Sequence, residues 1–194
     1  LNNWNWQDMF SVIPVGWVDD IDNLIALDSS GVLPHRVSLD NKSIDKENLH
    51  VELNIIAKWN THAPQIEILI NDKSILMPKL KQGINYIKFD VELEFGQHSL
   101  QINRKGATVQ DNSQKIEIES IFVDGLNCDT LIYHNSEYRP IYPEPWASQQ
   151  RNKNQELSDS IPYEVVLGHN GVWTMPLESP FYPYLLKFTT TDCT

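Results

Sequence analysis

From about Leu49 to Leu126, apolar and polar residues alternate with a period of two, and turn signals interrupt each run. Val51, Leu53, Ile55, Ala57 and Trp59 fall on one face of a predicted strand, with Glu52, Asn54 and Lys58 on the other. Ile66, Ile68 and Ile70 repeat the pattern and run into Asn71-Asp72. Side chains along a strand point to alternate faces, so this spacing predicts sheets with one buried face and one wet face. A strand from Ile84 to Val91 follows Gly83, and another from His98 to Asn103 follows the Phe95-Gly96 turn. Arg104 to Ser113 reads as a polar loop. A last strand carries Ile116, Ile118 and Ser120 and leads to Ile121-Phe122-Val123-Asp124-Gly125. Short strands at such intervals predict an all-β fold, an antiparallel β-sandwich of jelly-roll type whose sheets cover each other's apolar faces. No apolar stripe with the helical period persists, so no helix longer than about three turns is expected.

The pattern divides the chain into three segments. Residues 1–47 show little periodicity and carry Trp4, Trp6 and Trp17; Ile21 to Leu27 suits a short helix or a strand. This arm is expected to dock on the sandwich or on a neighbouring subunit. Residues 48–126 form the sandwich module, expected to fold by itself. Residues 127–194 are rich in proline and aromatic residues, as in Tyr138-Arg139-Pro140-Ile141-Tyr142-Pro143-Glu144-Pro145-Trp146 and Pro180-Phe181-Tyr182-Pro183-Tyr184. Proline fixes φ and lacks a donor, so this extension is expected to lie as irregular chain over a surface. Within it Ala147 to Ser158 suits a short helix or a loop. Tyr163 to Leu167 and Val172 to Leu177 flank the Gly168-His169-Asn170-Gly171 turn and could pair as a hairpin.

Composition removes several functions. An apolar fraction of 41% with 21% charged residues describes a folded chain. A formal net charge of -11, from 26 acidic and 15 basic residues, offers no basic face to a phosphate backbone, so no nucleic-acid partner is expected. No apolar run approaches the roughly 18 residues that span a bilayer, so no membrane insertion is expected. Leu1 in place of methionine suggests a preceding segment, and Leu1 to Phe10 is too polar for the apolar core of a signal peptide. Cys128 and Cys193 lack metal-ligand spacing, and whether they pair stays open.

Candidate chemistry is sparse. The six histidines form no i, i+4 pair and no zinc pattern, and His98 reads as a structural residue at a turn. There is no Gly-x-Ser-x-Gly, no phosphate-cradling loop and no dinucleotide fingerprint. Glu52, Glu67, Glu92, Glu117 and Glu119 fall on wet strand faces, where paired carboxylates arise by chance. The chain is therefore read as not an enzyme, with no catalytic residues and no cofactor.

The order of elements from Val51 to Gly125 resembles the calcium-dependent, xylan-binding type of carbohydrate-binding module. The resemblance runs through Ile66-Glu67-Ile68-Leu69-Ile70-Asn71-Asp72, Gly96-Gln97-His98-Ser99-Leu100-Gln101-Ile102 and Ile121-Phe122-Val123-Asp124-Gly125. In that family the loop before the last strand supplies acidic calcium ligands. Here Arg104-Lys105 and Ser113-Gln114-Lys115-Ile116 stand at those positions, so no metal is expected. Ile141-Tyr142-Pro143-Glu144-Pro145-Trp146-Ala147 and Gly168-His169-Asn170-Gly171-Val172-Trp173 resemble structural proteins of tailed bacteriophages, particularly marine and cyanobacterial ones.

Together these resemblances imply a non-enzymatic structural component of a phage virion (capsid, neck or tail). Its partners would be other virion proteins or copies of itself. The alternative is a glycan-binding module of a fibre or tail tip, or of a secreted polysaccharide-binding protein, located in the virion or outside the cell respectively. In that reading Trp59, Trp146 or Trp173 forms a stacking platform for sugar rings or a partner.

Overall fold

The computed structural model describes residues 46–107 and 113–189. The alternating segments become β1 (Lys46–Lys58), β2 (Gln65–Ile70), β3 (Lys73–Leu76), β4 (Gly83–Glu94), β5 (Gly96–Lys105) and β6 (Lys115–Val123). After them come β7 (Leu126–Asn127), α1 (Asp129–Asn135), β8 (Glu137–Ile141), α2 (Trp146–Asn152), β9 (Ile161–Pro162), β10 (Val166–Leu167), β11 (Asn170–Ser179) and α3 (Phe181–Thr189). One sheet runs β10-β6-β1-β4 with β7 also on β6, and the other runs β3-β2-β5-β11-β8-β9. Every described pairing is antiparallel, so the fold is the expected β-sandwich. Nothing described exceeds the three-turn limit: the longest helix, α3, has 9 residues. None is long and apolar enough to cross a membrane.

The period of two maps directly onto burial. Leu49, Val51, Leu53, Ile55 and Ala57 line the core from β1, each no more than 1% exposed. Ile66, Ile68 and Ile70 do so from β2. In β6 the buried residues are Ile116, Ile118, Ile121 and Val123, which changes phase midway. The reason is a bulge: Asn54 faces Ser120 while Ile55 faces Ile118, so Glu119 is the extra residue. It lets both halves of β6 present isoleucine or valine to the core. Asn71 and Asp72 have φ of 50° and 63°, the conformation of a tight hairpin turn, and link β2 to β3 as expected.

Four of the five wet-face glutamates are matched by lysines. Glu52 meets Lys88 at 2.8 Å, Glu67 meets Lys105 at 2.6 Å, Glu92 meets Lys46 at 2.7 Å and Glu117 meets Lys115 at 3.2 Å. His98 ties three elements at the β4–β5 corner. Its Nε2–H donates to the Glu94 carbonyl at 2.6 Å, and its Nδ1 accepts from the Asn71 amide at 2.8 Å.

Three expectations about the third segment need correction. First, the boundary at 126/127 does not separate a self-sufficient module from an extension. β11 is an interior strand, paired with β5 on one side and β8 on the other, and β10 extends the opposite sheet. Described residues on both sides of that boundary belong to one compact unit. Second, the Tyr163–Leu167 and Val172–Leu177 segments do not form a hairpin with each other. Val166-Leu167 pairs with β6 in one sheet, whereas β11 lies in the other, because each completes an edge left open by the first six strands. Third, Phe181-Tyr182-Pro183-Tyr184 is helical. Pro183 falls in the first turn of α3, where a missing N–H breaks no intrahelical bond. The Glu47 carboxylate accepts from the Phe181 N–H at 2.8 Å and the Ser179 hydroxyl at 2.9 Å, closing that turn from the start of β1. The arm at residues 1–47, with Trp4, Trp6 and Trp17, lies outside the described residues except for Lys46 and Glu47.

Candidate aromatic binding site

Three tryptophans were expected to offer stacking surfaces, and the structure gives each a different place. Trp173 is 0% exposed on the inner face of β11, so it is core and offers no ring face to a sugar. Its position follows from β11 being interior: residues 173, 175 and 177 all point inward. Trp59 is half-buried just beyond β1, packed against the core, and its carbonyl accepts from the Gln82 amide at 2.8 Å. Trp146 is half-exposed at the start of α2 and has company.

That company is Tyr142 and His169. The three rings form a triangle with centroids 5.7 Å apart for Tyr142–Trp146, 5.0 Å for Tyr142–His169 and 5.2 Å for Trp146–His169. These spacings are those of favourable aromatic pairs. All three residues remain partly open to solvent.

Strand register builds the cluster. β8 pairs with β11 up to Ile141 opposite Asn170, so the next residue outward on each chain, Tyr142 and His169, comes face to face. Gly171 makes that pairing possible. A Cβ there would stand 2.3 Å from the Arg139 carbonyl and 2.9 Å from the Pro140 Cα, and the φ of 151° already disfavours a side chain. Asn170 locks the same corner, accepting from the Ala107 N–H at 2.8 Å and donating to its carbonyl at 3.1 Å. Beyond Ile141, Pro143 and Pro145 lack the donors to continue a ladder, and the chain turns into α2. Glu144 then caps α2, accepting from the Ser148 N–H at 3.1 Å and hydroxyl at 2.6 Å.

Polar groups rim the rings. The Ser148 bonds, with Arg151 at 3.5 Å, hold the Glu144 carboxyl below the usual carboxylate range, so it stays ionised. The Tyr142 hydroxyl donates to the Ser158 carbonyl at 2.9 Å. Burial first, and the nearby Asp159 charge second, push the Tyr142 phenol up.

Burial, then the Arg104 charge, lowers the His169 pKa from its ordinary value of 6.5, so its ring is neutral at neutral pH. The unfolded chain takes up this proton near pH 6.5 and the folded chain only at lower pH. The stability that His169 contributes is therefore complete above about pH 6.5 and is lost as the pH falls from there through the folded pKa. Melting curves between pH 7.5 and 5 should show a steeper acid loss in the wild type than in His169→Gln. Equal slopes would place the histidine in water.

Sequence reading had singled out Trp146 but neither Tyr142 nor His169 as site residues. The signal available was the aromatic-proline spacing before Trp146 and the glycine-flanked His169-Asn170. The register that joins them was not readable.

Calcium, implied by the resemblance, does not fit the residues described around β5 and β6. Arg104 is fully buried there as a cation, donating to the Gln114 carbonyl at 3.0 Å. A divalent cation beside it would meet repulsion where it needs carboxylates. Among the described residues, no group of three or more His, Cys, Asp or Glu side chains is placed to hold a metal. Asp111 and Asn112 lie outside the described residues.

No protein-family model matches this chain, and no curated protein matches it. Two solved structures align with it. One is vCBM60 in complex with galactobiose, at 9% identity over 64% of this chain and 95% of that one, with a TM-score of 0.44. The other is the selenomethionine form of vCBM60, described as part of an evolutionary link by circular permutation between two families of calcium-dependent carbohydrate binding modules. It aligns at 8% identity over 65% of this chain and 88% of that one, with a TM-score of 0.41. At TM-scores this low, neither likeness bears on the fold or function of this chain.

Proposed function

We propose that the protein is a non-enzymatic glycan binder that stacks a neutral sugar ring on the Tyr142–Trp146–His169 cluster. The observation that carries this reading is the meeting of three partly exposed rings, from two distant segments, on a corner fixed by strand register. A sugar ring has an apolar C–H face and a polar hydroxyl edge. An aromatic platform matches the first, and the carboxylates of Glu144 and Asp159 at its rim can accept from the second. The net charge of -11, with those two carboxylates nearby, disfavours anionic polysaccharides. The sequence resemblance of residues 141–147 and 168–173 to phage structural proteins would place such a platform on a fibre or tail tip. In that setting the protein would be a virion component that binds glycan.

Affinity electrophoresis of the full chain through soluble xylan, galactan, mannan and glucan tests the proposal. Retardation by at least one of these is expected. Trp146→Ala should weaken it at least tenfold, ~1.4 kcal/mol, while shifting the melting temperature by no more than a few degrees. If none of the four retards the wild type, or if the variant is retarded equally, the reading is wrong. A change in oligomeric state in Trp146→Ala, without any glycan effect, would instead make the cluster a subunit contact.

A further inference from the structure

Arg104 is the sole charged side chain among the buried residues described, at 0% exposure. It lies on the inward face of β5, two residues beyond Ile102, where an apolar side chain would be expected. One guanidinium nitrogen, Nη2, donates to the Gln114 carbonyl, and the Tyr138 hydroxyl faces the group. The other two, Nε and Nη1, make no hydrogen bond of good geometry among the described residues, although the Tyr138 hydroxyl is close enough to interact with the guanidinium. No carboxylate among those residues lies within ion-pair distance of Arg104. The indole Nε1 of Trp173 is also buried without a partner. Trp173 is opposite Ile102, two residues along the ladder from the Gly171–Arg104 pair, so both side chains enter the core from neighbouring positions of one sheet face.

A guanidinium cannot shed its proton inside a protein. An uncompensated buried charge is costly, and each buried donor left unpaired adds to the cost. Water would satisfy the donors but not the charge, whereas an anion satisfies both. With the side chain wholly covered, only a small anion is compatible with the site.

We propose that the Arg104 guanidinium, with the Trp173 indole N–H as a further donor, binds a small monovalent inorganic anion of the halide class inside the sandwich. The anion would brace the platform from beneath, since Tyr138 faces Arg104 and donates its hydroxyl proton to the His169 carbonyl. The site stands independently of glycan binding.

Melting of the full chain in sodium chloride and in sodium gluconate, at equal ionic strength, tests it. Gluconate is too large to enter. Chloride should raise the melting temperature saturably by at least about 2–4 °C over gluconate, and Arg104→Met should abolish the difference. Equal melting in both salts, or an undiminished difference in the variant, overturns the proposal. Should the variant not fold, wild-type crystals soaked in bromide decide the matter. An anomalous peak in hydrogen-bond contact with the Arg104 guanidinium supports the site. A protein carboxylate or water alone at that position, or bromide at surface lysines only, overturns it.

Discussion

A chain ending at Asn127 should not fold. The first six strands alone would leave β5 without its β11 neighbour and uncover one side of the core. β11 contributes Trp173, Met175 and Leu177, all no more than 2% exposed. Full burial of side chains of this size contributes about 1.5–3 kcal/mol each, so β11 supplies roughly 5–9 kcal/mol from these three alone. That is comparable with the whole stability of a typical domain, about 5–15 kcal/mol. Loss of α3 and its Glu47 cap adds to the deficit. Circular dichroism and amide dispersion of residues 46–127 should therefore report an unfolded chain. A cooperative melt of that fragment would restore the self-sufficient middle module that the sequence suggested.

Trp173→Ala should cost about 3–5 kcal/mol, the usual range for truncating a buried aromatic residue. Its indole is fully enclosed between the sheets, and the cavity left behind is bounded by strands that cannot collapse independently. Denaturant unfolding measures this directly. The contrast with Trp146 is the informative part, because the two residues were equal candidates for a stacking platform. Trp146→Ala should leave the unfolding midpoint nearly unchanged. A surface-like cost for Trp173→Ala, below about 1 kcal/mol, would put that ring outside the core.

These two outcomes trace what could be read from residues alone. The alternation in β1 and β2 was legible because each strand buries one face, so apolar and polar positions separate cleanly. The Asn71-Asp72 turn was legible because both residues tolerate positive φ. Val172 to Leu177 was legible as extended chain but its interior place was not, since Pro176 argues against a sheet interior. The structure resolves the conflict: β8 covers only Asn170 to Thr174, and beyond that β11 has a neighbour on one side. Trp173 was misread because Val172 to Leu177 read as one arm of a terminal hairpin, which leaves open which of its faces is covered, whereas β5 and β8 flank it.

The candidate site was legible only as one tryptophan. Tyr142 and His169 are 27 residues apart in the sequence, and nothing local joins them. Their contact depends on the β8–β11 register, and that depends on Gly171 admitting the Arg139 carbonyl. The Arg104 cluster was hidden too. Alternation placed residues 100 and 102 inside, but a charged residue at 104 read as the start of a polar loop.

The most direct test of glycan binding on the aromatic cluster is a titration of the full chain with a soluble neutral polysaccharide that retards it, followed through the indole N–H signals by NMR. The Trp146 signal should move saturably with added glycan, and the Trp173 signal should stay still because its ring is enclosed. If the Trp146 signal stays fixed while the chain binds, the platform lies elsewhere and the account of this site is wrong.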